Sequence, residues 1–282
     1  MRTVVSAVFA LVALLLAAAA LGAAWVDANL VDEDGFVAIA APLGQDATFQ
    51  EELSAALAED LSGSTSLPEP IAALVGPVIS DAASAIAQAP GYPAAWEESL
   101  RISHALTLAG QDAGQPAAGE PLFQLDLRPL ATLMADQVSA GINVDVPVPE
   151  DTVIDMGSRP ANGAFAWITH AAALWPMVGA ASAVAGLLAL LAARRRATTL
   201  MLLGAGTAVV GLIGWYAAGL VPGIAAKAAG GNAVARVFAE GFAARAAVEI
   251  SDSSVPVLIG GAALAALALV VKVLFRRDRS YR

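Results

Sequence analysis

Cysteine is absent from the 282 residues, and histidine occurs only twice. The first absence excludes disulfides and thiolate metal sites, so any exported domain must be held by packing alone. Two histidines and no cysteine leave little material for a Ser-His-Asp or Cys-His site, and there is no Gly-x-Ser-x-Gly elbow. Charge is scarce as well. Asp, Glu, Lys and Arg make up 14% of the chain, against about 25% in soluble domains. Apolar residues make up 58%, so part of the chain is expected to be solvated by lipid. Abundant alanine suits helices, although a GC-rich genome produces the same bias.

Four long stretches have almost nothing to offer water: 4–26, 171–193, 200–221 and 255–275. Each approaches or exceeds the roughly 20 apolar residues that a helix needs to cross a bilayer core. None contains an acid, and Lys272 is their one base. Bases cluster in short flanking segments: Arg2, then Arg194, Arg195 and Arg196, then Lys272, Arg276, Arg277, Arg279 and Arg282. The positive-inside rule puts all of these in the cytoplasm, with both termini inside and two loops outside. Trp25, Trp167, Trp175 and the pair Trp215-Tyr216 fall toward the outer ends of their spans, where aromatic rings favour the headgroup layer. The first span also has features of a cleaved signal peptide, with a basic start and small residues at Gly22-Ala23-Ala24. Its apolar run is about twice the length of a signal core of roughly 7–15 residues, which favours a retained anchor.

Charge segregates along the chain. Between Asp27 and Arg159 there are 21 acids and three bases, a net of −18; the remainder nets +8. The outer segment therefore reads as a strongly acidic domain, for which no nucleic-acid partner is expected. Amphipathic patterning in it predicts helices broken by Pro and Gly. Thr48-Phe49-Gln50-Glu51 reads as a capping box, with Asp46 just upstream. Phe49, Leu53, Leu57 and Leu61 then recur on one face. A second helix is predicted over 69–88 with a kink at Gly76-Pro77, and a third over 93–108, followed by a flexible loop over 110–119. In the third helix Trp96, Leu100, His104 and Leu108 share a face, and Glu97 precedes Arg101 at i, i+4. Residues 122–127 alternate like a strand, Pro129 opens another helix ending near Gly141, and 144–148 and 152–156 are again strand-like. In the second outer loop, 233–248 reads as a helix with Val234, Phe238 and Phe242 on one face. It is expected either to pack under the larger domain or to lie at the membrane surface.

The predicted fold class is thus an α-helical integral membrane protein. It has about four transmembrane helices and a mostly helical extracytoplasmic domain carrying a small accessory β-sheet. Its segments are an N-terminal anchor (1–26), an acidic extracytoplasmic domain (27–170) and a transmembrane hairpin with a cytoplasmic Arg loop (171–221). A short extracytoplasmic helical loop (222–254) and a last transmembrane helix with a basic cytoplasmic tail (255–282) follow.

Three stretches carry a resemblance. They are 36–52, which includes Val37-Ala38-Ile39-Ala40-Ala41-Pro42-Leu43; Trp96, Arg101 and His104 with Gly110 after them; and Leu125-Asp126-Leu127-Arg128-Pro129-Leu130. With its leading span, large outer domain and trailing spans, the chain resembles uncharacterised actinobacterial integral membrane proteins over nearly its whole length. It departs from that pattern at Leu100, where Asn is common, and at Tyr92, where Phe is usual. The resemblance implies an architecture and a plasma-membrane location, with no cofactor or catalytic residue.

Arg101 and His104, one helical turn apart with Trp96 before them, are the candidate binding residues. They have the chemistry to orient a carboxylate or phosphate, and His104 to titrate near neutral pH. The bland reading is a satisfied histidine beside Trp96, with Arg101 tied to Glu97 or Asp126. His170 reads as a headgroup-level residue. Asp32-Glu33-Asp34-Gly35 is the densest acidic cluster, but nothing in the chain has the spacing of a calcium loop, so no metal site is assigned. Gly204-Ala205-Gly206 does not follow a strand and is no phosphate loop. Small residues there, and at Gly211, Gly214, Gly260, Gly261 and Ala265, are expected to let helices approach closely in lipid. The leading functional expectation is a membrane-anchored envelope protein. Its outer domain would dock an envelope protein or cell-wall component, and the chain would contact lipid and form a homo-oligomer if the spans self-associate. The alternatives are a transporter or channel subunit, and an extracytoplasmic enzyme using Arg101 and His104.

Overall fold

In the computed structural model, residues 2–64, 89–112, 121, 123–142, 152–156, 164–229 and 233–277 are described. The elements in chain order begin with α1 (Arg2–Val26), a π-helical segment (Asp27–Val31), α2 (Glu33–Ala40), a 3-10 turn (Ala41–Gln45) and α3 (Ala47–Ser64). Then come α4 (Tyr92–Asp112), β1 (Phe123–Asp126), α5 (Arg128–Ile142), β2 (Val153–Met156) and α6 (Ala164–Ala172). The chain continues with α7 (Trp175–Ala192), α8 (Arg196–Ala218), α9 (Val221–Ala228) and α10 (Ala233–Arg277). Among the described residues four helices are long and apolar enough to cross a membrane: α1, α7, α8 and α10. The expected helix over 69–88 and the strand-like 144–148 lie outside the described residues.

The chain divides into two compact units, one formed by Met1–Asp27, Ile168–Leu220 and Ala247–Arg282, the other by Ala28–Trp167 and Val221–Ala246. The first unit holds the apolar helices. Buried residues of α1 are Ser6, Ala13 and Ala20, spaced by sevens. That spacing is the seam of a left-handed supercoil. Here the seam is lined by small residues, which lets backbones approach. On the facing helix α7, Ser182 Oγ donates to the Ala13 carbonyl at 2.9 Å, and Ser6 Oγ donates to Ala189 O at 2.8 Å. The pair is antiparallel. Helix α8 meets α10 through glycines: a Cβ on Gly204 would lie 2.6 Å from the backbone N of Ala265, and one on Gly211 2.5 Å from that of Leu258. Each position therefore requires the absence of a side chain.

These contacts fix which helix ends lie together. Ser6 against Ala189 puts the Arg2 end of α1 beside the C-terminal end of α7. Arg194 and Arg195 turn from α7 into α8, which starts at Arg196, and all three side chains are exposed. Gly204 against Ala265 puts that start beside the end of α10 that carries Lys272, Arg276 and Arg277. At the opposite end, Trp175 Nε1 donates to Asp27 Oδ2 at 3.1 Å, and Gly214 meets Ser254.

The second unit is built on aromatic packing. Trp96 and Leu100 of α4 are fully buried, and Val37 and Phe36 of α2, Phe49 and Leu53 of α3, Leu125 of β1, and Val234 and Phe238 of α10 join them in one core. Phe238 stacks on Phe123 with centroids 5.4 Å apart, and Phe242 on Phe36 at 5.2 Å. The helix over 233–248 thus packs into the larger domain. The two strands pair antiparallel, Phe123 opposite Met156 and Asp126 opposite Val153.

Several boundaries differ from the sequence reading. Asp46, not Thr48, caps α3: its Oδ1 accepts from Thr48 N at 3.0 Å and Phe49 N at 3.3 Å. Asp46 precedes the first helical residue and so faces the open N–H groups of the first turn, which Thr48, already inside the helix, does not. Helix α4 runs on to Asp112, because Gly110 by itself only weakens a helix. The second apolar stretch turns at Ala173-Leu174 and restarts at Trp175, with Pro176 in its first turn, where a missing N–H costs nothing. Helix α10 runs unbroken from Ala233 to Arg277 through Pro256. The helix expected over 233–248 and the fourth apolar stretch are therefore one element. The polar run before Pro256 interrupts hydropathy without interrupting backbone hydrogen bonding, and apolar-phase helices tolerate an internal proline.

Candidate functional site

Helix α4 carries all three candidate residues, and each spends its polar head on the chain between Leu30 and Ala40. Trp96 is fully buried, and its Nε1–H donates to Ala40 O at 3.2 Å. Its indole lies so close to Gly44 that a Cβ there would overlap the ring. Arg101 Nη1 donates to Glu33 Oε1 at 2.8 Å and to Asp34 Oδ1 at 3.0 Å. Hydrogen bonds to Glu33 and then Asp34 push the Arg101 pKa above its ordinary value, so this half-exposed group remains a cation. His104 is buried, 5.2 Å from the Phe36 ring, with Nε2 3.1 Å from Leu30 O. A carbonyl only accepts, so Nε2 carries the hydrogen. Leu30 belongs to the π-helical segment.

The expected tie of Arg101 to Glu97 or Asp126 is replaced by one to Glu33 and Asp34. A long-range pair in the folded domain outcompetes the exposed neighbour on the same helix. The cluster Asp32-Glu33-Asp34 is likewise internally used: Asp32 Oδ1 accepts from Gly35 N at 2.9 Å as the cap of α2, and the other two hold Arg101. Among the described residues no group of three His, Asp or Glu is arranged to hold a metal.

A polar stripe one face over was not anticipated. Ser103 Oγ accepts from Asp126 N at 2.9 Å, and Thr107 Oγ1 accepts from Gln124 N at 3.2 Å. Helix hydroxyls thereby satisfy strand N–H groups that the two-stranded ladder leaves open. The i, i+4 spacing of Ser99, Ser103 and Thr107 was the available signal. Asp126 is buried and accepts from Arg128 N at 2.8 Å and Thr152 Oγ1 at 3.0 Å, fastening β1 to the start of α5 and to β2. The three stretches that carried the family resemblance meet here: Phe36 against His104, Trp96 on Ala40, and Asp126 on Ser103.

Chemically the cluster is a clamp. His104 already donates through Nε2, Arg101 is neutralised by two carboxylates, and the Ser99 hydroxyl is fully buried. Of the topology residues, Arg2, Arg194, Arg195 and Arg196 are exposed. Comparison of the chain with protein families, curated proteins and solved structures finds no match.

Proposed function

We propose that this protein is a multi-pass plasma-membrane protein with both termini in the cytoplasm. It presents its acidic unit outside the cytoplasm as a binding or scaffolding domain for an envelope protein or cell-wall component. One observation carries the topology. Arg2, Arg194, Arg195, Arg196, Lys272, Arg276 and Arg277 lie toward one end of the antiparallel apolar helices, as the positive-inside rule requires of a cytoplasmic face. A retained first helix belongs to this reading, since its seam residues Ser6, Ala13 and Ala20 are used by α7. Kinship with the actinobacterial membrane proteins named above is part of the same proposal and rests on the three stretches that meet in the outer core.

The binding role is supported by the inward use of Trp96, Arg101 and His104. With those groups engaged, the outward chemistry of the unit includes its exposed acids, among them Glu52, Glu98 and Asp136. A photo-crosslinking residue placed singly at these three positions tests it in cells. The proposal expects one envelope protein or wall fragment to be captured repeatedly from at least one position. Failure to obtain any reproducible adduct at all three would remove the binding role.

A further inference from the structure

Helix α9 has apolar side chains where a water-facing helix would have polar ones. Its inner side belongs to the domain: Ala225 and Ala226 are half-buried, and Ala229, just beyond its end, lies in the core. Its outer side shows Ile224, 65% exposed, with Leu220 at 51% one turn earlier and exposed Lys227 nearly one turn later. Lys227 is the only ionisable residue in the helix. Exposed apolar groups on one face, with a single cation near the C-terminal end, suit a helix lying at a lipid surface, where a lysine stem stays apolar and its ammonium reaches the headgroups.

Chain continuity says which surface. Only Gly219 and Leu220 separate α9 from α8, whose last turn exposes Trp215 and Tyr216. Three Cα steps reach at most about 10 Å. The headgroup layer beyond the hydrocarbon is itself about 5–8 Å thick. Helix α9 therefore starts within or just outside the headgroups of whichever leaflet α8 reaches with these aromatics.

We propose that α9 is an interfacial helix of the extracytoplasmic leaflet, seating Leu220 and Ile224 at the top of the acyl chains and Lys227 against lipid phosphate. This rests on the multi-pass reading above, and the test separates the two. The cysteine-free chain allows one nitroxide label per variant in the full-length protein, reconstituted in nanodiscs of mixed phosphatidylcholine and phosphatidylglycerol. Labels at Ile224→Cys and, as a second probe, at Gly223→Cys are compared with Leu187→Cys, exposed in mid-α7, and Glu51→Cys, exposed on α3. A Cβ at Gly223 meets nothing within 4 Å, so that label is easily housed. Power saturation against oxygen and a water-soluble nickel complex reads depth. The expected result places 223 and 224 between the two references. Values equal to those at 51 would overturn the proposal, as would values equal to those at 187. So would a label shielded from both reagents, which would mean a protein partner covers the face. If 187 itself reads no deeper than 51, the multi-pass reading fails instead.

Discussion

Tyr92 opens α4 and has its phenol in the core, 6% exposed. Burial opposes the phenolate and pushes the Tyr92 pKa up to about 12, from 10.0. The sign of the consequence follows from which state keeps the proton. Below pH 10 both folded and unfolded chains hold it. Between about 10 and 12 only the unfolded chain has released it, so stability falls with rising pH and levels off above the folded value. The full loss is of the order of 3 kcal/mol. Thermal unfolding of the full chain in detergent, compared with Tyr92→Phe, isolates this contribution: the wild type should lose stability relative to the variant between pH 10 and 12 and not below. Parallel curves would contradict the burial. Legibility at this scale was uneven. The shared face of Trp96, Leu100 and His104 was readable, because i, i+4 spacing is local. The partners of Arg101 and His104 were not, because Glu33, Asp34 and Leu30 lie about 70 positions away and sequence spacing says nothing about such pairs. Asp126 stands in the sequence as part of a motif and as an expected partner of Arg101; its three hydrogen-bonding neighbours instead come from two other segments and its own turn.

At the scale of elements, apolar runs located the four long helices, since bilayer thickness and helical rise set their lengths together. Their ends were less legible. Hydropathy marks where lipid ends and does not mark where helical hydrogen bonding ends, so α10 extends far beyond the span expected within it. Glycine placement was half legible. The expectation that Gly204, Gly211 and Gly261 allow close approach is met, whereas a Cβ at Gly260 would meet nothing within 4 Å. That contrast gives a prediction. Gly204→Ala forces a methyl against the backbone of α10 and should cost about 1–3 kcal/mol, the usual range for overpacking. It should lower the apparent melting temperature in detergent, and Gly260→Ala should leave it unchanged. Equal effects would mean that α8 and α10 do not pack through this glycine.

For the whole molecule, the two units divide the chemistry as the charge does. One is lined outside by leucine, valine and isoleucine and carries its arginines at one end; the other buries an aromatic core and exposes carboxylates. The division was visible in the sequence as a net of −18 between Asp27 and Arg159 against one of +8 over the remainder. What the sequence left open was whether 233–248 belonged with the outer domain. Periodicity places a face without naming what covers it, and the stack of Phe238 on Phe123 supplies the answer. The proposed sidedness remains the premise of the functional reading. It is tested most directly with Glu51→Cys and Ser280→Cys, each the sole thiol of its chain, in cells freed of any outer barrier and treated with a membrane-impermeant maleimide. Labelling of 51 in intact cells, and of 280 only after permeabilisation, is the predicted result. Labelling of 280 in intact cells with 51 protected would contradict the account.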